Sequence, residues 1–223
     1  MLLDKQENTS VDQDEKTENP SLMESASDRY SINFSGSQKS CCVGIVSLVK
    51  PSIQMNFLLK AKYSQIFLNS VAKILAQFGA VIIKNKEDML LYYFPQSSKT
   101  NRKYGFMSCL ESCLTLIDEK NIISFISEES GCPPIDFRIS VDYGKVAVMQ
   151  SNFSSNPDLI GPTVNICSKI NSLAPINEVV LGSDLYEVVK KFHDYKYKKL
   201  GQYSVGLKQS YPVYLLESQS NAN

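Results

Sequence analysis

The chain has no excess charge of either sign and no long apolar run, and both absences exclude broad classes of protein. Among its 223 residues, Lys and Arg together number 23, and Asp and Glu together number 23. A chain without net charge has no overall field that would attract nucleic acid or an anionic membrane. No apolar stretch approaches the roughly 20 residues that a membrane-spanning helix needs. The sequence therefore predicts neither a nucleic-acid partner nor a membrane partner.

Signals for secretion and for metal binding through sulfur are also missing. The first residues include Asp4, Lys5 and Glu7 instead of a basic patch followed by an apolar core, which is not the pattern of a secretory signal. The six cysteines show neither a CxxC pair nor the spacing of a zinc site. Free thiols in a reducing compartment are the ordinary interpretation of such cysteines, and we expect a cytoplasmic protein.

The composition changes near residue 40 and divides the chain. Residues 1–40 are rich in Ser, Asn, Glu, Asp and Gln and hold eight acids against four bases. Such a segment cannot bury enough apolar surface to offset the entropy of ordering it. We expect a disordered acidic tail over 1–40, one folded domain over 41–217 and a disordered C-terminus over 218–223.

Strand and helix patterns alternate through the domain. The hydrophobic periodicity predicts strands at 42–49, 81–84, 89–94, 137–141, 145–149, 178–181, 196–200 and 211–216. It predicts helices at 57–78, from about 99, from 162 and at 184–192. The Tyr143-Gly144 pair is interpreted as a turn between two strands. This order predicts an α+β fold in which a mixed sheet carries helices on one face.

The segment from Asp158 to Lys169 places chemically useful groups at fixed spacings. Gly161-Pro162 favours a helix start, because proline suits the first helical position. Asn165 and Lys169 are then four residues apart on that helix and share one face. An amide one turn from an ammonium group can hold phosphate oxygens. The alternative interpretation is an ordinary amphipathic surface helix without a binding role, whose apolar residues pack inward and which shows the same spacing.

This segment resembles the signature of class III nucleotidyl cyclases, the adenylyl and guanylyl cyclase catalytic domain. Its D-L-I-G-P-T-V-N-I-C-S-K is similar to the family pattern D-x-x-G-x-T-V-N-x-A-S-R, and it departs at Cys167 and Lys169. Residues 81–88 resemble the family's V-x-K-x-x-G-D hairpin, and residues 137–146 resemble its R-I-G-I-x-x-G-x-V strand pair. The three blocks span roughly residues 42–216. The resemblance implies a ferredoxin-like mixed sheet with flanking helices.

The resemblance also implies a reaction, a cofactor and a dimer. Class III cyclases convert a nucleoside triphosphate into a 3′,5′-cyclic nucleotide and pyrophosphate, which here would be cyclic AMP from ATP. Two Mg²⁺ or Mn²⁺ ions, held by two aspartates, activate the attacking hydroxyl and neutralise the leaving group. The family's site lies at a dimer interface, with metal acids from one chain and the Asn and the cation from the other. A homodimer, or a heterodimer with another cyclase domain, follows from this resemblance.

The metal positions of the family are only half kept. Asp88 matches the aspartate that follows the hairpin glycine, whereas Glu87 replaces that glycine. The aspartate of the first strand falls on Gly44, which has no side chain to coordinate a metal. If Gly44 limits catalysis, we expect Gly44→Asp to raise cyclase activity.

The substrate positions implied by the resemblance are better kept. Lys84 and Asp158 match the base-reading positions, and a lysine donor to N1 with a carboxylate acceptor for the N6 amine suits adenine. Asn165 matches the residue that orients the ribose. Lys169 replaces the arginine that steadies the phosphate in the transition state, and lysine lacks the bidentate fork of arginine. Lys208 lies near the family's triphosphate-binding lysine, with a looser alignment.

Two functions from different classes stay open. A weakly active adenylyl cyclase is favoured by the retained base-reading residues, by Asp88 and by Asn165. A degenerate cyclase domain, acting as a nucleotide-binding or regulatory partner of another cyclase chain, is favoured by Gly44. An RNA-binding or ligand-sensing ferredoxin-like domain is disfavoured, because the central strands show no aromatic and basic platform.

Overall fold

The computed structural model describes residues 34–86, 88–98, 102–151, 157–203 and 210–218. The strands are Phe34–Leu48 (β1), Val81–Lys86 (β2), Met89–Phe94 (β3), Phe137–Ser151 (β4), Asp158–Ile160 (β5), Val179–Gly182 (β6), Tyr195–Tyr203 (β7) and Tyr211–Ser218 (β8). The helices are Phe57–Gln77 (α1), Arg102–Asp118 (α2), Lys120–Glu129 (α3), Pro162–Leu173 (α4) and Ser183–Val189 (α5).

The strands form one mixed sheet, as the sequence pattern predicted. Its order is β2-β3-β1-β4-β6-β8-β7, and β5 pairs with β4 outside this path. Strands β4 and β6 are parallel, and the other pairs are antiparallel. The α+β class and the mixed sheet with flanking helices are therefore confirmed.

Helices cover both faces of the sheet, so the prediction of helices on one face is wrong. On β1, Cys42 and Val46 belong to the apolar cluster that includes residues of α1, α2, α3 and α5, whereas Val43 and Ile45 belong to a cluster that includes Cys167 of α4. We call these two sides the α1 face and the α4 face. Parallel neighbours such as β4 and β6 need a crossover connection over one face of the sheet. Helix α4 is part of that crossover, and it lies on the face opposite α1.

Strand β4 is one continuous strand, so the predicted turn at Tyr143-Gly144 is wrong. Strand β1 pairs with it from Phe34 opposite Ser151 to Leu48 opposite Phe137. A glycine at position 144 serves close packing, because a Cβ atom there would lie 2.5 Å from the Oγ1 of Thr163 in α4. Strand β1 begins at Phe34, before the start at residue 41 that the composition suggested.

Helix α1 begins and ends close to where the periodicity placed it. The side chain of Asn56 caps it by accepting a hydrogen bond from the backbone N–H of Leu59 at 2.8 Å. Gly79 follows its last turn with φ +81°, a conformation that favours glycine. Tyr63 and Phe67 are among the residues that it buries against the sheet. None of the helices in the described ranges is long and apolar enough to cross a membrane.

Candidate functional site

Helix α4 begins against the backbone of β4. Gly161 is its N-cap residue and Pro162 its first residue, as the turn predicted. The φ of Gly161 is +150°, and a Cβ atom there would lie 2.7 Å from the carbonyl oxygen of Lys145. The hydroxyl of Thr163 donates a hydrogen bond to the same carbonyl at 3.1 Å. Gly161 and Thr163 of the signature therefore fix where the helix starts on the sheet.

The inward side of α4 carries a stripe of polar groups at a spacing of four residues, namely Thr163, Cys167 and Asn171. All three side chains are buried. The Sγ atom of Cys167 lies 3.4 Å from the carbonyl oxygen of Ser140 on β4 and 3.6 Å from that of Val43 on β1. Burial raises the pKa of this thiol well above its usual range. Cys167 is therefore a packed, protonated thiol and not a nucleophile.

Asn171 ties α4 to two strands at once. Its Nδ2 group donates to the carbonyl oxygens of Ile45 on β1 at 3.1 Å and Arg138 on β4 at 3.2 Å. Its Oδ1 atom accepts a hydrogen bond from the hydroxyl of Ser47 at 2.6 Å. The sequence reasoning missed this residue, although its spacing from Thr163 and Cys167 was a usable signal. Asn171 sets the rotation of the helix that carries Asn165.

The outward side of α4 presents the two side chains to which the resemblance gives catalytic roles. Asn165 and Lys169 are both exposed and four residues apart, so they share a face as predicted. Their side of the helix lies roughly opposite the polar stripe, since two residues along an α-helix turn it by about 200°. The signature thus divides into residues that anchor the helix and residues that it presents to solvent.

The two base-reading candidates lie on different parts of the sheet, Lys84 on β2, which pairs with β3, and Asp158 on β5, which pairs with β4. Their chain neighbours Ile83 and Leu159 are buried in the same apolar cluster on the α4 face. Because successive side chains of a strand point to opposite faces, the side chain of Asp158 is directed away from that cluster. The carboxylate of Asp158 is exposed and accepts a hydrogen bond from the N–H of Leu159 at 3.0 Å. The pairing of β2 with β3 shifts between Ile82 and Lys84, an irregularity of the kind that redirects side chains. The side chain of Lys84 lies outside the described residues, as does all of Lys208.

Asp88 lies on the other side of the sheet from these residues. Its Oδ1 atom accepts a hydrogen bond from the hydroxyl of Ser64 on α1 at 2.5 Å. Its backbone carbonyl accepts from the N–H of Leu48 at the end of β1 at 2.8 Å. Asp88 is thus directed to the α1 face, whereas Asn165 and Lys169 project from the α4 face. The structure therefore places Asp88, the expected metal ligand, on the side of the sheet opposite Asn165 and Lys169, the expected catalytic pair.

Gly44 is not placed to share a metal ion with Asp88. It lies opposite Tyr92, four residues before Leu48 on β1, which is about 13 Å at about 3.3 Å per residue. Opposed residues on neighbouring strands point to the same side. A Cβ atom at position 44 would lie 2.1 Å from the Cζ atom of Tyr92, whose ring is fully buried. In this fold the ring of Tyr92 therefore fills the space that a side chain at position 44 would need, and the assignment of the missing aspartate to Gly44 stays a prediction.

The described residues around Asp88 do not by themselves form a site for two metal ions; Glu87 lies outside the described ranges. The β1 residue opposite Asp88 is Leu48, which is apolar and 8% exposed. Within the described ranges, no group of three or more His, Cys, Asp or Glu side chains is arranged to hold a metal ion. One carboxylate with a serine hydroxyl is a smaller ligand set than Mg²⁺ or Mn²⁺ requires without help from a substrate.

Comparison with known proteins identifies the family. The family model described as the adenylate and guanylate cyclase catalytic domain matches residues 91–218, which is more than half of the chain. The matched region contains the whole signature helix, and it begins after β1, β2 and Asp88. A search among curated protein sequences gave no match.

Solved structures agree on the fold. The adenylyl cyclase CyaB from P. aeruginosa is similar with a TM-score of 0.73 and 17% identity, over 82% of this chain and 96% of that one. The guanylate cyclase domain of RhGC from Catenaria anguillulae, solved in complex with GTP, is similar with a TM-score of 0.66 and 15% identity, over 82% of this chain and 98% of that one. The catalytic core of a rhodopsin-guanylyl cyclase with converted specificity, solved in complex with ATPαS, has a TM-score of 0.67 and 16% identity, over 82% and 99% of the two chains. The chain therefore belongs to the adenylate and guanylate cyclase catalytic domain family.

Proposed function

We propose that this cyclase domain binds ATP and completes the active site of a second cyclase chain, while it lacks a full metal site of its own. The observation that carries the proposal is Leu48, an apolar residue in the position opposite Asp88. A cyclase site needs carboxylates where the metal ions bind, and the residue of β1 that is hydrogen-bonded to Asp88 is apolar. In such a pair, the second chain contributes the metal acids and this chain contributes its α4 face.

The roles of this chain's residues follow from their chemistry. Lys84 donates to adenine N1, and Asp158 accepts from the N6 amine. Asn165 hydrogen-bonds the ribose and orients its 3′-hydroxyl toward the α-phosphate. Lys169 places an ammonium group against the phosphate oxygens as charge develops there. The 3′-hydroxyl gives up its proton to solvent as its oxygen bonds to the α-phosphorus, the bond from that phosphorus to the α,β-bridging oxygen breaks, and pyrophosphate leaves.

The arrangement of the two faces supports a pair of chains. Asp88 is directed to the α1 face, and Asn165 and Lys169 project from the α4 face. A site that uses all three therefore needs a second protomer, as the resemblance implied. In a homodimer, each of the two sites would have only one of the two metal-binding carboxylates.

A weak homodimeric adenylyl cyclase is the second candidate, and Asp88 favours it. This residue immediately precedes β3 and is half-buried, and its carboxylate accepts a hydrogen bond from the hydroxyl of Ser64. A hard cation can bind one carboxylate together with substrate phosphates. Turnover would be slow, because the second carboxylate of the pair is missing.

Complementation distinguishes the two candidates. The purified chain is assayed for cyclic nucleotide formation with ATP and GTP, each with Mg²⁺ or Mn²⁺. It is then mixed with a class III cyclase domain that keeps both metal aspartates but has lost its own Asn and Arg. We expect little product from either chain alone and a clear gain in the mixture. Asn165→Ala or Lys169→Ala should remove the gain, and Ser172→Ala, an exposed change on the same helix, should leave it.

Two results would contradict the proposal. Turnover by the chain alone at rates ordinary for enzymes, about 1–10³ per second, would mean that another group completes the metal site. If the two chains form a stable complex and the mixture still makes no product, this chain does not complete the active site of the second chain.

The preference for adenine over guanine is a separate test of the proposed nucleotide site. If Lys84 and Asp158 read adenine, ATP should bind more tightly than GTP by about 1–3 kcal/mol, the cost of leaving such groups unpaired. Calorimetry with both nucleotides, with metal present, measures this difference. Asp158→Asn should reduce the difference in affinity between ATP and GTP, since an amide can turn its N–H donor toward guanine O6. Equal affinity of the unaltered chain for ATP and GTP would argue against an adenine site.

A further inference from the structure

A cavity of about 330 Å³ opens on the α1 face, between α2, β4 and α5. Its walls are formed by Lys103, Phe106, Tyr143, Val188, Lys191 and Phe192. None of these residues belongs to β2, β5 or α4, which carry the described nucleotide-site candidates. Whatever occupies this cavity is therefore distinct from a nucleotide bound at the α4 face.

The floor of the cavity is aromatic. Phe106 is 3% exposed and Phe192 is 8% exposed, so both rings are fixed by the core beneath them. The rings of Phe106 and Tyr143 meet edge to face, with centroids 5.1 Å apart. Tyr143 and Val188 are half-buried and form the sides. Such walls suit a flat apolar ring, which gains area burial and edge-to-face contact together.

The mouth of the cavity is positively charged. Lys103 and Lys191 are exposed, and neither forms an ion pair among the described residues. Glu187, the chain neighbour of Val188, pairs with Lys190, and Glu111 of α2 accepts a hydrogen bond from the hydroxyl of Tyr195. Among the described residues, no acid lines the cavity. Lys103 also lies in the first turn of α2, where free backbone N–H groups add partial positive charge.

We propose that this cavity binds a small organic anion with a flat aromatic body. The ring lies on Phe106, Tyr143 and Phe192, and the carboxylate or phosphate lies between the ammonium groups of Lys103 and Lys191. The volume is within the range of small-molecule sites, about 300–1,000 Å³, and near its lower end, which suits a ligand of one or two rings. A charge at one end and an apolar body at the other match the two parts of the cavity.

Four probes that share one ring system test the charge requirement. These are 2-naphthoate, 2-naphthyl phosphate, the neutral 2-naphthylmethanol and the cationic 2-naphthylmethylamine, each titrated into the full chain by calorimetry. We expect saturable binding of the anions, and binding of the neutral and cationic probes that is weaker by about tenfold or more. The ratio between the two anions shows whether the mouth prefers a carboxylate or a phosphate. Equal binding of all four probes, or no saturable binding of either anion, would overturn the proposal.

Variants locate the binding. The double variant with Lys103→Gln and Lys191→Gln should bind the two anions about tenfold more weakly and should bind the neutral probe with unchanged affinity. Lys60→Gln, an exposed change on α1, is the matched control and should alter neither. Val188→Phe should fill the cavity and remove all binding, with thermal unfolding as the check that this variant folds. Anion affinity that survives the double lysine change would place the ligand elsewhere and refute the site.

Discussion

At position 44, the residue on the neighbouring strand determines which side chain can fit. The ring of Tyr92 occupies the space that a side chain at position 44 would need, and its hydroxyl lies 3.7 Å from the Sγ atom of Cys113. Burial raises the pKa of Tyr92 well above its usual range, so this hydroxyl stays protonated. The glycine that the resemblance aligns with a metal-binding aspartate packs against this ring in the fold.

Substitution at Gly44 should destabilise the protein without raising its activity. A Cβ atom 2.1 Å from a buried ring forces a shift in the core, which costs about 1–3 kcal/mol for Gly44→Ala. Gly44→Asp should cost more, since it also buries a carboxylate. Urea unfolding measures the loss. Gly201→Ala is the control and should be close to neutral, because a Cβ atom added at this β7 glycine would meet no atom of the described residues within 4 Å.

A double-mutant cycle checks the cause of that loss. Tyr92→Leu removes the atoms that collide, so Gly44→Ala should cost less in that background than in the unaltered chain. Equal costs in both backgrounds, or a rise in cyclase activity on Gly44→Asp, would contradict the packing role.

Asp142 is a second residue whose properties come from its surroundings. It is fully buried where β4, β8 and α5 meet. Its Oδ1 atom accepts from the backbone N–H groups of Tyr143 at 2.9 Å and Leu185 at 3.1 Å, and its Oδ2 atom accepts from the hydroxyl of Tyr211 at 2.9 Å. Burial raises the pKa of this carboxyl from 3.8 to about 7, against the effect of those donors.

This raised pKa predicts a stability that falls as the pH rises. Between about pH 4 and pH 7 the folded chain holds a proton on Asp142 that the unfolded chain has released, so the free energy of unfolding decreases with pH. At about 1.4 kcal/mol per pKa unit, the decrease in the free energy of unfolding due to Asp142 is at most about 4 kcal/mol. Asp142→Asn should flatten this slope in urea titrations from pH 4 to pH 8, whereas the exposed Asp194→Asn should not. An unchanged slope in Asp142→Asn would assign the pH dependence to other groups.

At the scale of the element, α4 combines directional anchoring with an exposed functional face. Hydrogen bonds from Thr163 and Asn171 fix its position on β1 and β4, and the side chain of Arg138 holds its C-terminal end by donating to the carbonyl oxygen of Ala174 at 2.8 Å. Apolar contacts alone would allow the helix to slide or rotate. The polar contacts specify one rotation, and that rotation sets where Asn165 points.

Loss of the Asn171 amide should therefore affect both stability and nucleotide affinity. Asn171→Ala leaves the carbonyl oxygens of Ile45 and Arg138 without their donor, which costs about 1–3 kcal/mol for each unsatisfied buried group. Calorimetry should show weaker ATP binding at a temperature where the variant remains folded. Ser172→Ala, the exposed neighbour, should change neither quantity. Unchanged ATP affinity in a folded Asn171→Ala variant would limit this residue to a structural role.

At the scale of the molecule, the sheet divides the candidate site residues into two halves. Asp88 is directed to the α1 face, and Asn165 and Lys169 project from the α4 face. The long pairing of β1 with β4 joins the two halves into one unit, and it extends to Phe34. The residues before Phe34 lie outside the described ranges, and the acidic tail stays a prediction.

Limited proteolysis of the full chain tests that boundary. Cleavage should remove the N-terminal residues and leave a core that starts close to Phe34 and keeps β8, because backbone pairing protects a strand from a protease. Mass spectrometry of the fragments gives the cut positions. A resistant fragment that retains residues 1–28 would contradict the tail, and a core that begins after residue 41 would contradict the early start of β1.

Local sequence determined the elements of this protein and the content of its signature helix. The Gly161-Pro162 start, the helix at 57–78 and the strands depend on neighbouring residues, so periodicity and turn chemistry predicted them. Tertiary structure alone decided which residues face each other. Gly44 lies against Tyr92, Leu48 lies opposite Asp88, and β4 continues through Tyr143-Gly144, because pairing with β1 sets the register. Register and facing depend on contacts between residues far apart in the chain, and no local pattern encodes them.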